Sequence, residues 1–263
     1  MTADVRWQGA PPTHLAYPAL EALGVRHAFT TRHHGSLAGP SALGGPFGGS
    51  PRSPALAALG LPADAVCFAR QVHGTTALVV QDRAGGLAGT ADALIATEPG
   101  RPLAILTADC LAVLLADPAA RLVAAAHAGW RGTTAGLLGR VVETLITLGA
   151  RPERLRAAIG PSIGPCCYEV DEPVVGPLRA AFPAAADAWI RPARPGRWWL
   201  DLWQANADQL VEAGLRPDAI LNARLCTGCR RDLFFSYRKE GPGSRLAALA
   251  VLVEPGGPMS ATA

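Results

Sequence analysis

A chain of 263 residues that is 49% hydrophobic and only 17% charged can bury a large core, which excludes intrinsic disorder over most of its length. The 24 basic and 21 acidic residues are spread along the sequence, and no basic run is interleaved with aromatics, so a small molecule is a better expected partner than nucleic acid. No stretch reaches the roughly 18 uninterrupted apolar residues of a membrane span, and no charged start leads into an apolar segment, so a cytoplasmic protein without membrane contact is expected.

No repeat or polar linker divides the chain, and one domain over 1–255 with a disordered tail over 256–263 is expected. Residues 35–60 are rich in Gly, Pro and Ser and read as a long loop. Short strand-like runs follow at 66–72, 75–81, 103–109, 111–117 and 121–127. Helical periodicity then covers 133–149, with Leu137, Leu138, Val141, Val142, Leu145 and Ile146 on one broad face, Thr133 as N-cap and Gly149 as stop. A second helix is expected over 202–214, with Asp201 before it and Gly214 after it. The run "RLAALAVLVE" makes the last strand. Hairpins mixed with helices indicate a layered α/β or α+β domain in which antiparallel pairing is prominent.

Six cysteines in a chain this long are too dilute for a disulfide scaffold and read as reduced. Cys110 and His127 lie at the outer ends of the hairpin 111–127. If 117–120 reverses tightly, Ala116 faces Arg121 and Cys110 falls opposite His127, with Cβ atoms about 4.5–5.5 Å apart. His73, at another strand end in "ARQVHGTTA", completes a set of two imidazoles and a thiol. Three protein ligands plus an open position suit catalytic zinc, and the same set suits trigonal copper, although the only methionines, Met1 and Met259, are near the chain ends. Without metal, Cys110 and His127 could act as a nucleophile and base.

Other motifs carry less. Arg131 in "AGWRGTT", beside the free N–H groups of a helix start, could hold phosphate. "GPSIG" at 160–164 fits a nucleophile elbow, but every histidine precedes residue 128, so the hydrolase order Ser, acid, His cannot be completed. "CTGC" at 226–229 has no partner pair of C-x-x-C type, and it reads, like Cys166 and Cys167, as structural. Arg238 follows an aromatic run and could reach a pocket.

Taken together, "RQVHGT", "TADCLAVLLAD", "AAAHAGWRGT", "IGPSIGPCCYEV", "LDLWQANADQL", "CTGC" and "FFSYRKEG" resemble the YfiH-like family, long labelled polyphenol oxidase or laccase-domain protein and also described as purine nucleoside phosphorylases. The resemblance runs from about residue 26 to 253. It implies an α-β-β-α sandwich with mixed, largely antiparallel sheets, related to the cytotoxic necrotizing factor deamidases. It implies zinc, rather than copper, on His73, Cys110 and His127, and phosphorolysis of adenosine, inosine and methylthioadenosine together with adenosine deamination. Arg32, Arg131 and Arg238 are then expected to hold phosphate or substrate charge. Gln71 is expected to line the cleft, and Asp109 to act as an acid–base group or as an orienter of the ligands. A Cys/His hydrolase or amidase acting on a small or peptidoglycan-precursor substrate, and a copper-dependent polyphenol oxidase, are the alternatives. The block "FTTRHHGSLAGP" keeps Thr31 and Arg32 but has His34 in place of the family's glycine, and the family's S-L-N-L signal is missing.

Overall fold

The computed structural model describes residues 4–37, 54–80 and 85–253, and in it the short apolar runs become two large sheets laid face to face. The first has the spatial order β1 (Arg6–Gln8), β2 (His14–Ala16), β3 (Val25–Thr30), β16 (Leu246–Leu252), β8 (Leu103–Thr107), β4 (Cys67–Arg70) and β6 (Gly86–Thr90). In the second the order is β15 (Ile220–Asn222), β11 (Arg156–Ile159), β9 (Leu111–Asp117), β10 (Leu122–Ala128), β7 (Ala93–Ala96) and β5 (Ala77–Val80). A small third sheet joins β12 (Glu169–Val170), β14 (Trp198–Leu200) and β13 (Ile190–Pro192). Most pairs are antiparallel, while β4 with β6 and β8, β5 with β7, and β11 with β15 run parallel. The helices are α1 (Pro18–Glu21), α2 (Pro54–Leu59), α3 (Trp130–Thr134), α4 (Leu137–Thr147), α5 (Glu172–Ala181), α6 (Ala186–Trp189), α7 (Leu202–Glu212) and α8 (Tyr237–Glu240).

The central strands are buried on both faces, which is why they read as continuous apolar runs rather than alternating ones. Leu111, Val113 and Leu115 of β9, with Ala124, Ala126 and Ala128 of β10, meet Leu138, Val142 and Leu145 of α4 and Leu202 and Leu210 of α7. The intervening Ala112, Leu114, Val123 and Ala125 turn the other way, onto Phe29, Leu103, Ile105 and Ala248 of the first sheet. On that sheet's far side Ala28, Ala104 and Leu249 pack against Leu56 and Leu59 of α2. Helices therefore cover both outer faces of the sheet pair, giving the expected sandwich.

Three expectations are corrected. The first concerns the hairpin turn. Pro118–Ala120 forms a 3-10 turn closed by Arg121 at φ 61°. The buried Asp117 carboxylate accepts from the N–H of Ala120 (3.2 Å) and of Arg151 (3.0 Å) and from Arg154. Leu122 consequently pairs with Asp117, and His127 with Ala112 rather than Cys110. The shift is two residues, so side-chain parity survives and Cys110 stays on the face of His127.

The second concerns the helix over 133–149, which is interrupted by Gly136 at φ +74°. Its first part starts at Trp130 and has only five residues. Thr133 is not a cap but is buried, and its hydroxyl oxygen accepts from the Asn206 amide (3.0 Å). Third, residues 54–59 of the expected loop are helical. Residues 38–53 of that loop and the expected tail lie outside the described residues. The other long helix follows expectation, with the Asp201 side chain accepting from the N–H of Gln204 (3.0 Å).

Candidate metal centre

His127 sits at the end of β10, on the inter-sheet face, beside the start of β7. Extending the register of β7 with β10 puts Asp92 opposite His127, and both levels of contact form: the His127 N–H donates to the Asp92 carbonyl (2.7 Å), and His127 Nδ1 meets Asp92 Oδ1 (2.8 Å). A carboxylate only accepts, so the proton is on Nδ1 and Nε2 is left for a ligand. The same buried carboxylate accepts the N–H groups of Val72 (3.1 Å), His73 (2.9 Å) and Gly74 (2.7 Å). That nest holds His73 at φ 60°, a left-handed conformation uncommon outside glycine, and turns its ring onto His127, with centroids 4.7 Å apart.

Cys110 arrives from the break between β8 and β9, where Asp109 adopts φ 82°. Its Sγ lies 3.9 Å from His73 Nε2. The ligand atoms of His73, Cys110 and His127 all lie within 4.8 Å of one another, on side chains that are exposed, half-buried and buried respectively. Tetrahedral zinc, with Zn–S near 2.3 Å and Zn–N near 2.0–2.1 Å, asks for S···N separations of about 3.5 Å. The Cys110–His73 separation is within about half an ångström of that value, the His127 nitrogen lies within 4.8 Å of both, and two imidazoles and a thiol leave one position of a tetrahedron open. Gly129 belongs to the same cradle: a Cβ there would stand 2.9 Å from Cys110 Sγ and 3.0 Å from His73 Cδ2.

Electrostatics agree with the geometry. Desolvation alone would raise the Cys110 pKa, but bonding to His127 and His73 outweighs it and lowers the thiol to about 6. Desolvation would lower His127, whereas its bonds to Asp92 and Cys110 raise it to about 9. Burial would likewise raise Asp92, yet the bonds from His127, Gly74 and Val72 hold its carboxyl below the usual range. Such a site pairs a Cys110 thiolate with a protonated His127 at neutral pH, and a bound cation would take the place of the proton on His127 Nε2.

The remaining expected residues divide. Asp109 is not a free acid–base group: its carboxylate accepts from Thr227 Oγ1 (2.5 Å), Ser236 Oγ (3.0 Å) and the N–H of Arg238 (2.7 Å). These bonds tie Thr227, Ser236 and Arg238 to the residue next to Cys110. The Gln71 amide clips the backbone of Leu106 in both directions, donating at 2.7 Å and accepting at 2.8 Å. Arg131 is exposed and stacks over Trp130, 4.4 Å from the ring centre. The five-residue helix Trp130–Thr134 in which it lies is too short to contribute the anion-binding N-terminus expected there. Arg238 donates to the Glu169 carbonyl (2.6 Å) and lies 5.0 Å over the Tyr168 ring. Arg32 pairs with Glu240 (2.5 Å) and stacks on Phe235, beside a cleft of ≈ 120 Å³ that Ser236, Gly241 and Ser244 also line.

Sequence reasoning missed Asp92, Gly129 and Tyr168. For Asp92 a signal was present, since the tripeptide "TAD" occurs at 90–92 and again at 107–109, each time before a buried strand. Tyr168 is buried. Burial, with the Cys110 charge adding to it, pushes its phenol well above the ordinary value against the pull of Arg238. It is a neutral donor next to the arginines.

A family model described as multi-copper polyphenol oxidoreductase laccase matches residues 49–253. The sequence is 44% identical over 232 residues to a purine nucleoside phosphorylase of Deinococcus radiodurans, spanning 83% of this chain and 85% of that protein. It is 35% identical over 195 residues to adenosine deaminase RL5 of an unknown prokaryotic organism, spanning 71% of this chain and 74% of that one. The crystal structure of the Bacillus licheniformis hypothetical protein YfiH superimposes with a TM-score of 0.83 at 30% identity, over 94% of this chain and 98% of that one. Among the described residues no helix is long and apolar enough to cross a membrane.

Proposed function

This chain belongs to the YfiH-like, laccase-domain family, and on that premise we propose that it is a zinc-dependent purine nucleoside phosphorylase that also deaminates adenosine. The observation that carries the reading is the convergence of His73, Cys110 and His127 on one point, two of them fixed by a single carboxylate. The names of the relatives from Deinococcus radiodurans and of RL5 support the two reactions. In phosphorolysis, phosphate attacks C1′ of adenosine, inosine or methylthioadenosine, the bond to N9 breaks, and free base and the sugar 1-phosphate leave. In deamination, water replaces the amino group at C6 of adenine and ammonia departs.

Bound zinc supplies Lewis-acid chemistry at the open position. The protein's own part is orientation. Asp92 fixes the His127 tautomer so that Nε2 points inward, and it holds His73 by the backbone. Asp109, by accepting from Ser236 Oγ and the Arg238 N–H, places Arg238 beside Tyr168, where a guanidinium and a neutral phenol can bind phosphate or a sugar hydroxyl. Arg131, exposed and stacked on Trp130, offers a second cation, while Glu240 already compensates Arg32. A reduced thiol among the ligands suits the cytoplasm.

Zinc is favoured over copper by the chain's donors. No methionine is present among the described residues to serve as an axial ligand, and a multi-copper site needs more histidines than these two. His27 is already committed, accepting from the Tyr17 N–H and bonding Val25 through Nδ1. The Asp92–His127–Cys110 alignment supports one further reading, a metal-free Cys/His hydrolase. Metal analysis combined with chromatography of purine products, on wild type and Cys110→Ala, separates them. We expect zinc and phosphate-dependent base release from wild type only. Full purine turnover by a metal-free Cys110→Ala chain would refute the zinc reading, and thiol-dependent hydrolysis by metal-stripped wild type would favour the hydrolase.

A further inference from the structure

We propose that Cys166, Cys167, Cys226 and Cys229 form a second metal centre, a closed tetrathiolate site for zinc that braces the wall of the first. All four Sγ atoms lie within 4.8 Å of one another. Cys166 Sγ and Cys229 Sγ are 3.3 Å apart, and Cys167 Sγ and Cys229 Sγ 3.5 Å. A tetrahedron with Zn–S bonds of about 2.3 Å has edges of about 3.8 Å, so these two separations are within about half an ångström of that size. A disulfide needs two sulfurs; here two adjacent cysteines and a C-x-x-C turn aim four at one point.

The backbone prepares this arrangement without metal. Cys226 forms an isolated parallel bridge with Ser162. The Ser162 N–H donates to the Leu225 carbonyl (3.2 Å), and the Thr227 N–H to that of Ser162 (3.1 Å). These bonds lock the 160s loop to the C-x-x-C turn. Gly164 N–H points at Cys226 Sγ (3.2 Å), the kind of backbone bond that supports a ligating thiolate. Gly228 permits the close approach: a Cβ there would lie 2.9 Å from Cys167 Cβ and 3.1 Å from its Sγ. Cys166 and Cys229 are exposed, which gives an ion a way in.

Four protein ligands leave no open position, so this centre is structural. Its reach into the first site is short. Cys167 precedes Tyr168, over which Arg238 lies. Cys226 precedes Thr227, whose hydroxyl donates to Asp109, the neighbour of Cys110. An ion at the four sulfurs would clamp two segments some 60 residues apart in sequence that both carry walls of the catalytic pocket.

The test counts metal in the full chain, purified reduced. Wild type should hold about two zinc per chain, and Cys110→Ala and His73→Ala about one each, because the tetrathiolate is untouched in both. Cobalt loaded into Cys110→Ala should give the intense thiolate-to-metal absorption of a tetrahedral sulfur site, and Cys166→Ser/Cys229→Ser added to that background should abolish it. The two readings fail separately. Loss of the first site's metal leaves the cobalt signal in Cys110→Ala intact. The tetrathiolate is overturned if Cys110→Ala, with its five remaining thiols reduced and titratable, takes up neither zinc nor cobalt. It is equally overturned if those cysteines are found as disulfides in protein kept under reducing conditions, or if the purified site holds iron instead.

Discussion

Asp92 accepts the Nδ1–H of His127 at 2.8 Å while the same carboxylate accepts the backbone N–H of His73 at 2.9 Å, so one buried side chain sets the aim of both imidazoles. This couples the two histidines mechanically, although 54 positions separate them in the sequence.

Asp92→Asn should therefore weaken the metal centre without touching a ligand. The amide keeps one acceptor oxygen where the carboxylate uses two, and the nest over residues 72–74 loses its charge. We expect zinc affinity at this site to fall about 10–100-fold, read by competition with a chromophoric chelator, with turnover falling in parallel. Unchanged affinity would show that the carboxylate is a structural bystander.

Gly129→Ala isolates sterics from backbone strain. Gly129 has φ −73° and ψ 173°, which any residue adopts, so the substitution acts only through its methyl group against Cys110 and His73. The expected result is loss of metal from the first site and of activity, with circular dichroism and fold retained. A fully active, zinc-replete variant would mean that the cradle opens easily and does not set ligand spacing.

Gln71→Ala distinguishes a strand clip from a substrate contact. Its amide replaces a ladder bond to Leu106 in each direction, so removal should cost about 1–2 kcal/mol of stability while KM for nucleoside and phosphate stays put. A raised KM at unchanged unfolding midpoint would return Gln71 to the pocket.

How far the site was legible follows from range. Cys110 and His127 were found because hairpin pairing is local, and the two-residue error in register came from a turn whose geometry depends on Asp117 being held by Arg154, 37 positions away in the sequence. Since the error was even, the face came out right. His73 was reachable only through resemblance and its position at a strand end. Asp92 stayed hidden because its role exists only once β7 lies beside β10. The thiol cluster stayed hidden for the same reason: a lone C-x-x-C has no visible partner until the Ser162–Cys226 bridge brings Cys166 and Cys167 to it. The break at Gly136 was local but ambiguous, since glycine inside an apolar periodicity can also be tolerated by a continuous helix.

Acid sensitivity should trace to a histidine that does no chemistry. His27 is 1% exposed, its Nε2 accepts from the Tyr17 N–H (2.8 Å) and its Nδ1 bonds the Val25 carbonyl (3.0 Å), so it is folded as the neutral ring. Burial first, with Arg6 and His14 adding repulsion against the help of Val25, lowers its pKa from 6.5 to about 4. The folded-state value lies below the unfolded one, so the unfolded chain binds the proton more readily. The stabilisation is complete above about pH 6.5, declines as pH falls, and is gone below about 4. A shift of that size corresponds to about 3 kcal/mol. His27→Gln keeps an uncharged acceptor and donor; it should be less stable than wild type at pH 7 yet lose about 3 kcal/mol less between pH 7 and 4, measured by urea unfolding across that range. Parallel curves for the two proteins would place the acid sensitivity elsewhere, for instance in the Asp117 carboxyl, whose pKa is held low against its burial by Arg154 and the Arg151 N–H.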